Sequence, residues 1–189
     1  MNNKIFRKFK LKNILFVDFE MTCFDNRLEN ERNFTEIIEI GVVSVDNPNA
    51  KIIDKASYLI KNEYTEITDY CTNITTINQD LITEKGVLLQ EACEKIQERF
   101  RSHNKTWLAW GCGDYNHLEK NCIVKSIQNP FSDNYINFSE WIALTNGVTR
   151  SSGLKKNLVM NDIKYNGQQH RAMVDAEATA ELYLKTFRN

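Results

Sequence analysis

Proline is nearly absent from this chain, with 2 in 189 residues, and no low-complexity tract, internal repeat or linker-like stretch interrupts it. That excludes a Pro-rich spacer and favours one domain over residues 1–189, with its motif-bearing core at about 13–187. No apolar run approaches the length that crosses a bilayer, so no membrane partner is expected. The start, Met1 to Lys12, is basic and interrupted where a secretory leader would carry an apolar stretch, so no signal peptide is expected. The 5 cysteines (Cys23, Cys71, Cys93, Cys112 and Cys122) include no CxxC pair, which argues against zinc-finger and thioredoxin-like chemistry. Reduced thiols in a cytoplasmic protein are the expectation. Charge of one sign is not in excess either: 24 Lys and Arg face 25 Asp and Glu, for a formal net charge of −1. A broad nonspecific DNA-binding surface would be more basic. Local charge is less even, with Lys4, Arg7, Lys8, Lys10 and Lys12 at one end and Lys155, Lys156, Lys164 and Arg171 near the other. Each patch is either solvated surface or a phosphate contact.

Against that background, Ile14-Leu15-Phe16-Val17-Asp18-Phe19-Glu20-Met21-Thr22 stands out. The β-branched and aromatic run predicts a buried strand, where two acids are costly without a partner. Residues two apart share a strand face, so Asp18 and Glu20 project side by side. Like charges that close repel unless a cation lies between them, and hard divalent ions favour such oxygen donors. The bland alternative is a strand end with solvated acids.

Glu36 to Val45 predicts a second strand, in which Gly41 marks a bulge or a close backbone approach. Asp46-Asn47-Pro48-Asn49 is a turn, and Lys51 to Ile60 a third strand, giving an antiparallel meander. The polar stretch from Asp25 to Phe34 reads as a loop. Gln79 to Phe100 predicts one long helix, and Trp107 to Trp110 a short strand ending at Gly111. A helix follows from near Asp114, then a strand at Tyr135 to Phe138, short helices at Ser139 to Leu144 and Gly153 to Met160, and a last helix from Arg171 to Phe187. This order predicts an α/β fold, a mixed five-stranded sheet flanked by helices.

Asp114 lies just past a strand end, where α/β sheets place ligands, although a helix N-cap would explain it equally well. Asp175 sits among Ala172, Met173, Ala176 and Ala180, so it faces a packed surface and needs a cation or a firm hydrogen bond. His170, five residues earlier, cannot share its helix face; it reaches the same place only from a loop or first turn.

These motifs together resemble the DEDD superfamily of 3′-5′ exonucleases in its histidine-bearing form, DEDDh. Asp18-Phe19-Glu20-Met21-Thr22-Cys23 resembles the first motif, Trp110-Gly111-Cys112-Gly113-Asp114 with Leu118 the second, and His170-x-x-x-x-Asp175-Ala176 the third. Glu36 to Gly41 and Gly153-Leu154 to Gly167 resemble the KapD-like and histone-mRNA-end-processing branch, from which Met21 departs by its size. The resemblance implies a ribonuclease H-like fold, with three antiparallel strands followed by two parallel ones. It implies two divalent cations, Mg²⁺ or Mn²⁺, about 4 Å apart and held by Asp18, Glu20, Asp114 and Asp175. His170 would be the general base, a role suited to an imidazole, whose ordinary pKa is about 6.5. The substrate would be the 3′ end of single-stranded RNA, or of DNA, and the product a nucleoside 5′-monophosphate. Met21 and Thr22 would floor the terminal-nucleotide pocket, and Phe24 and Trp110 could stack a base. A homodimer stays open, as does a second class of function: a regulatory binding protein that keeps the fold without turnover.

Overall fold

The computed structural model describes residues 12–26, 29 and 34–187; Lys4, Arg7, Lys8 and Lys10 of the basic leader and much of the Asp25–Phe34 loop lie outside them. The most apolar run becomes the middle of a sheet. Strand β1 (Asn13–Met21) is flanked by β2 (Ile37–Asp46) and β4 (Trp107–Ala109), with β3 (Lys51–Leu59) and β5 (Tyr135–Asn137) at the edges, in the order β3-β2-β1-β4-β5. β1, β2 and β3 are antiparallel, and β4 and β5 run parallel to β1, as the resemblance implied. Alternation along β1 divides the core. Leu15, Val17 and Phe19 face one layer of helices, while Ile14 and Phe16 face the other.

On the first side pack α3 (Leu89–Phe100) and α4 (Gly113–Val124). On the second lie α5 (Phe138–Thr145), α6 (Leu154–Met160) and α7 (Ala172–Phe187). Buried small residues along α7 (Ala172, Ala176, Ala180) let its backbone come close to the sheet. Gly41 is where that approach is tightest: a Cβ there would sit 2.2 Å from the Ala172 carbonyl carbon. Of the two expectations for Gly41, the structure shows the close approach.

The predicted helix from Gln79 to Phe100 is two helices. α2 (Gln79–Lys85) stops at Gly86, and Val87 leaves the helical path to bridge Ile60, donating its amide to the Leu59 carbonyl at 2.9 Å. Among the described residues, two helical segments were not anticipated: a single 3-10 turn at Ser102–Asn104, and α1 (Asp69–Thr75), whose Thr68 hydroxyl accepts the Cys71 amide as an N-cap. Trp110 falls outside β4, and Phe138 begins α5 where a strand residue was expected. Among the described residues no helix is long and apolar enough to cross a membrane.

Candidate active site

Asp18 and Glu20 both point to the α7 side of the sheet, because they share the even-numbered face of β1 with Ile14 and Phe16. Across the β1–β2 ladder Asp18 faces Gly41 and Glu20 faces Glu39. The missing side chain at Gly41 brings the first turn of α7, and Asp175 with it, over the two acids. On the other flank β4 ends at Ala109, which leaves the edge of β1 beyond Phe16 unpaired on that side. Asp114, the second residue of α4, occupies that opening beside the Phe19 amide. Cys112 is the N-cap residue of α4 and makes no side-chain cap, so Asp114 is a first-turn acid and not the cap. Gly111 turns the chain with a φ of 135°, and the Tyr135 hydroxyl donates to its carbonyl. The site therefore lies at the carboxyl ends of β1 and β4, where a parallel sheet opens a crevice.

His170 is exposed and precedes α7 in a left-handed conformation, φ 58°, which brings its ring over the acids. Donor atoms of Glu20, His170 and Asp175 lie within 4.8 Å of one another. Asp18 and Asp114 stand outside that trio but are close to it, Asp18 being raised by Glu20 and Asp175, and Asp114 raising Glu20. Burial raises the Asp18 carboxyl well above its ordinary value, and the charges of Asp114, Asp175, Glu20 and Glu39 raise it further. Glu20 is pushed up to about 8 by burial, then by Asp175 and Glu39. Asp114 rises to about 7, with burial outweighing the backbone amides of Asp114 and Phe19. Asp175 also rises to about 7, burial prevailing over the His170 amide. Its Oδ1 is buried without a hydrogen-bond partner among the described residues. Four hard carboxylates, all raised by burial and three of them raised further by acids of the same cluster, one acid having an orphaned oxygen, fit divalent cations.

The predicted nucleotide-contacting residues divide. Thr22 is fully buried, with its amide donating to the Glu36 carbonyl and its hydroxyl accepting the Glu36 amide and pairing with Thr65. It is a strut behind the site, with its amide and hydroxyl already engaged. Met21 is half-buried against the core, and Trp110 packs edge-on to Phe138 at 6.0 Å, as core residues do. Phe24 lines a cavity of about 560 Å³ with Phe34, Tyr64, Thr65 and Glu66.

Two buried acids beside the site were missed as site residues. Glu36 accepts the amides of Glu63, Tyr64 and Thr65 and pairs with Lys125 at 2.8 Å, fixing the segment behind Thr22. Glu39 holds Arg171, which is thereby taken up within the protein and is not an open phosphate contact. The signal was available, since Glu36-Ile-Ile-Glu39 places two acids in an apolar strand as Asp18 and Glu20 do.

The exonuclease family model matches residues 15–183. "Probable 3'-5' exonuclease KapD" of Bacillus subtilis is 28% identical over 171 residues, covering 90% of this chain and 82% of the relative. The 3′-5′ exonuclease Snipper of Drosophila melanogaster is 26% identical over 204 residues, covering 93% and 69%. The nuclease domain of 3′hExo, a DEDDh family member solved bound to rAMP, superposes with a TM-score of 0.86 at 22% identity, over 95% of this chain and 93% of that one. Because the family model spans all three acid-bearing motifs, the chain belongs to the exonuclease family.

Proposed function

We propose that this exonuclease shortens single-stranded RNA from its 3′ end, releasing nucleoside 5′-monophosphates, with Asp18, Glu20, Asp114 and Asp175 holding two divalent cations and His170 as general base. The observation that carries the reading is the crowding of four carboxylates around Asp18, two of which, Glu20 and Asp175, bring donor atoms within 4.8 Å of the exposed His170 ring. Bound there, Mg²⁺ or Mn²⁺ would neutralise the phosphodiester and make water a better nucleophile. The chain's own part is to fix these donors on rigid elements: β1 for two acids, the first turn of α4 for the third, and the first turn of α7 for the fourth. His170 projects from a turn open to solvent, where it can take a proton from the attacking water and pass it to bulk. Neutral imidazole is the form required for that step.

RNA is favoured over DNA because of the relatives. Human 3′-5′ exoribonuclease 1 is 24% identical over 185 residues, covering 91% of this chain and 51% of the relative. A structure described as 3′-end specific recognition of histone mRNA stem-loop shares the fold, with a TM-score of 0.83. The test is a time course on 5′-labelled single-stranded RNA and the matching DNA in Mn²⁺. A ladder receding one nucleotide at a time, faster on RNA and abolished by EDTA and by Asp18→Asn, is the expected outcome. Faster loss of DNA would reverse the substrate preference, and an inert wild type that still binds RNA would favour the regulatory reading.

A further inference from the structure

A general base must be held still, and the turn that holds His170 is not one a histidine adopts freely. Its φ of 58° is left-handed, a conformation kept only where the surroundings fix it. Helix α7 begins two residues later; the Val174 and Asp175 amides donate to the Arg171 carbonyl, but the Ala172 amide at the helix start must find an acceptor outside the helix. Glu39 supplies what is missing. Its carboxylate, 1% exposed, accepts Nε of Arg171 at 2.9 Å and a terminal guanidinium nitrogen at 3.0 Å. The same carboxylate accepts the Ala172 amide at 3.0 Å and the Ser57 hydroxyl at 2.6 Å. One strand residue thus caps the helix from outside and clasps the residue next to His170, across 132 positions of sequence.

We propose that Glu39 and Arg171 are positioning residues for the reaction: their clasp fixes the left-handed turn that holds the His170 ring against Glu20 and Asp175. The proposal rests on His170 acting as the base. Glu39 lies directly across the ladder from Glu20, so a bare carboxylate there would repel a metal-holding acid. Arg171 neutralises it, and the planar fork defines both distance and direction, which a lysine could not. β2 is paired on both sides, so the anchor itself is rigid. Releasing the clasp would leave the four acids on their elements but free the imidazole to wander. Displacement of a catalytic group by about 1 Å costs on the order of 100-fold in rate.

The test is a double-mutant cycle on the full chain with Mn²⁺ and 5′-labelled RNA, using Glu39→Gln, His170→Ala and the pair combined. Glutamine keeps the volume and an acceptor for the Ala172 amide while losing the charge that holds Arg171. Glu39→Gln is expected to lower kcat about 10- to 100-fold, with KM and the calorimetric Mn²⁺ affinity within about threefold of wild type. In the His170→Ala background it should add no further loss, since its effect passes through the missing imidazole. A full additional loss there, or a defect confined to KM or to Mn²⁺ affinity, overturns the proposal. Should Glu39→Gln fail to fold, Arg171→Gln, at a half-buried site, carries the same cycle. Loss of kcat in His170→Ala with none in either clasp variant overturns this proposal alone. A wild-type kcat in His170→Ala removes the general-base reading and the proposal with it.

Discussion

Replacing Glu20 with glutamine should make the metal-free protein harder to unfold, although it removes a residue the proposed reaction needs. Glu20 is 8% exposed, and burial with the charges of Asp175 and Glu39 raises its carboxyl from 4.5 to about 8. An acid whose pKa is higher in the fold than in the unfolded chain takes up a proton on folding. Its cost is therefore full above the folded value and fades as the pH falls toward the unfolded one. At pH 7.5 that cost is about 4 kcal/mol if Glu20 bears it alone, at about 1.36 kcal/mol per pH unit. Asp18, Asp114 and Asp175 share the crowding, so about 2 kcal/mol is the more realistic gain, or a Tm rise of roughly 4–8 °C for a chain of this size. The assay is thermal unfolding followed by circular dichroism in EDTA, wild type against Glu20→Gln, at pH 7.5 and pH 4.5. The variant should melt higher at pH 7.5, and the two should converge at pH 4.5. An equal or lower Tm at pH 7.5, or a gap that persists at pH 4.5, would refute the picture of a crowded and costly carboxylate cluster.

Lys125→Ala should strand a buried charge. Glu36 sits below its usual carboxylate range because Lys125 and the amides of Glu63, Tyr64 and Thr65 outweigh burial, which alone would raise it. Loss of the lysine should cost about 3 kcal/mol in guanidinium unfolding at pH 7, and the gap should narrow as acid protonates Glu36, whose stabilisation is lost as the pH falls through its folded value. A Lys125→Ala protein as stable as wild type would contradict that assignment. Gly41→Ala forces a Cβ to within 2.2 Å of Ala172 backbone, so α7 must move. It should lose about 3 kcal/mol of stability and most of its Mn²⁺ affinity, both measurable on one preparation. Retention of wild-type affinity would show that the approach of α7 does not build the site.

Three of the five motif residues stood out because they break a local rule, Asp18 and Glu20 by charging an apolar strand and Asp175 by sitting among alanines, whereas Asp114 and His170 drew attention through the resemblance. Gly41 stood out as those three acids did. What could not be read was long-range. Lys85-Gly86 is a local helix stop that the apolar pattern continuing through Val87 and Leu88 obscured, and only the fold brings Val87 to pair with Ile60. α1 was missed because Tyr70, Thr72 and Ile74 favour strands, and only its Thr68 cap betrays a helix. Arg171 looked like one more member of a basic patch until the fold brought Glu39 to it. Trp110 packs against Phe138, and Thr22 is buried with its hydroxyl engaged by Glu36 and Thr65, contacts that their place beside motif residues in sequence did not announce.

The central claim is that carboxylates costly to the bare fold are there to bind cations. Calorimetric titration of the protein with Mn²⁺ in the presence of a nucleoside 5′-monophosphate tests it directly. The account predicts two ions per chain for the wild type and loss of this binding in Asp18→Asn; a wild type that takes up no Mn²⁺, or an Asp18→Asn variant that binds as well, would contradict it.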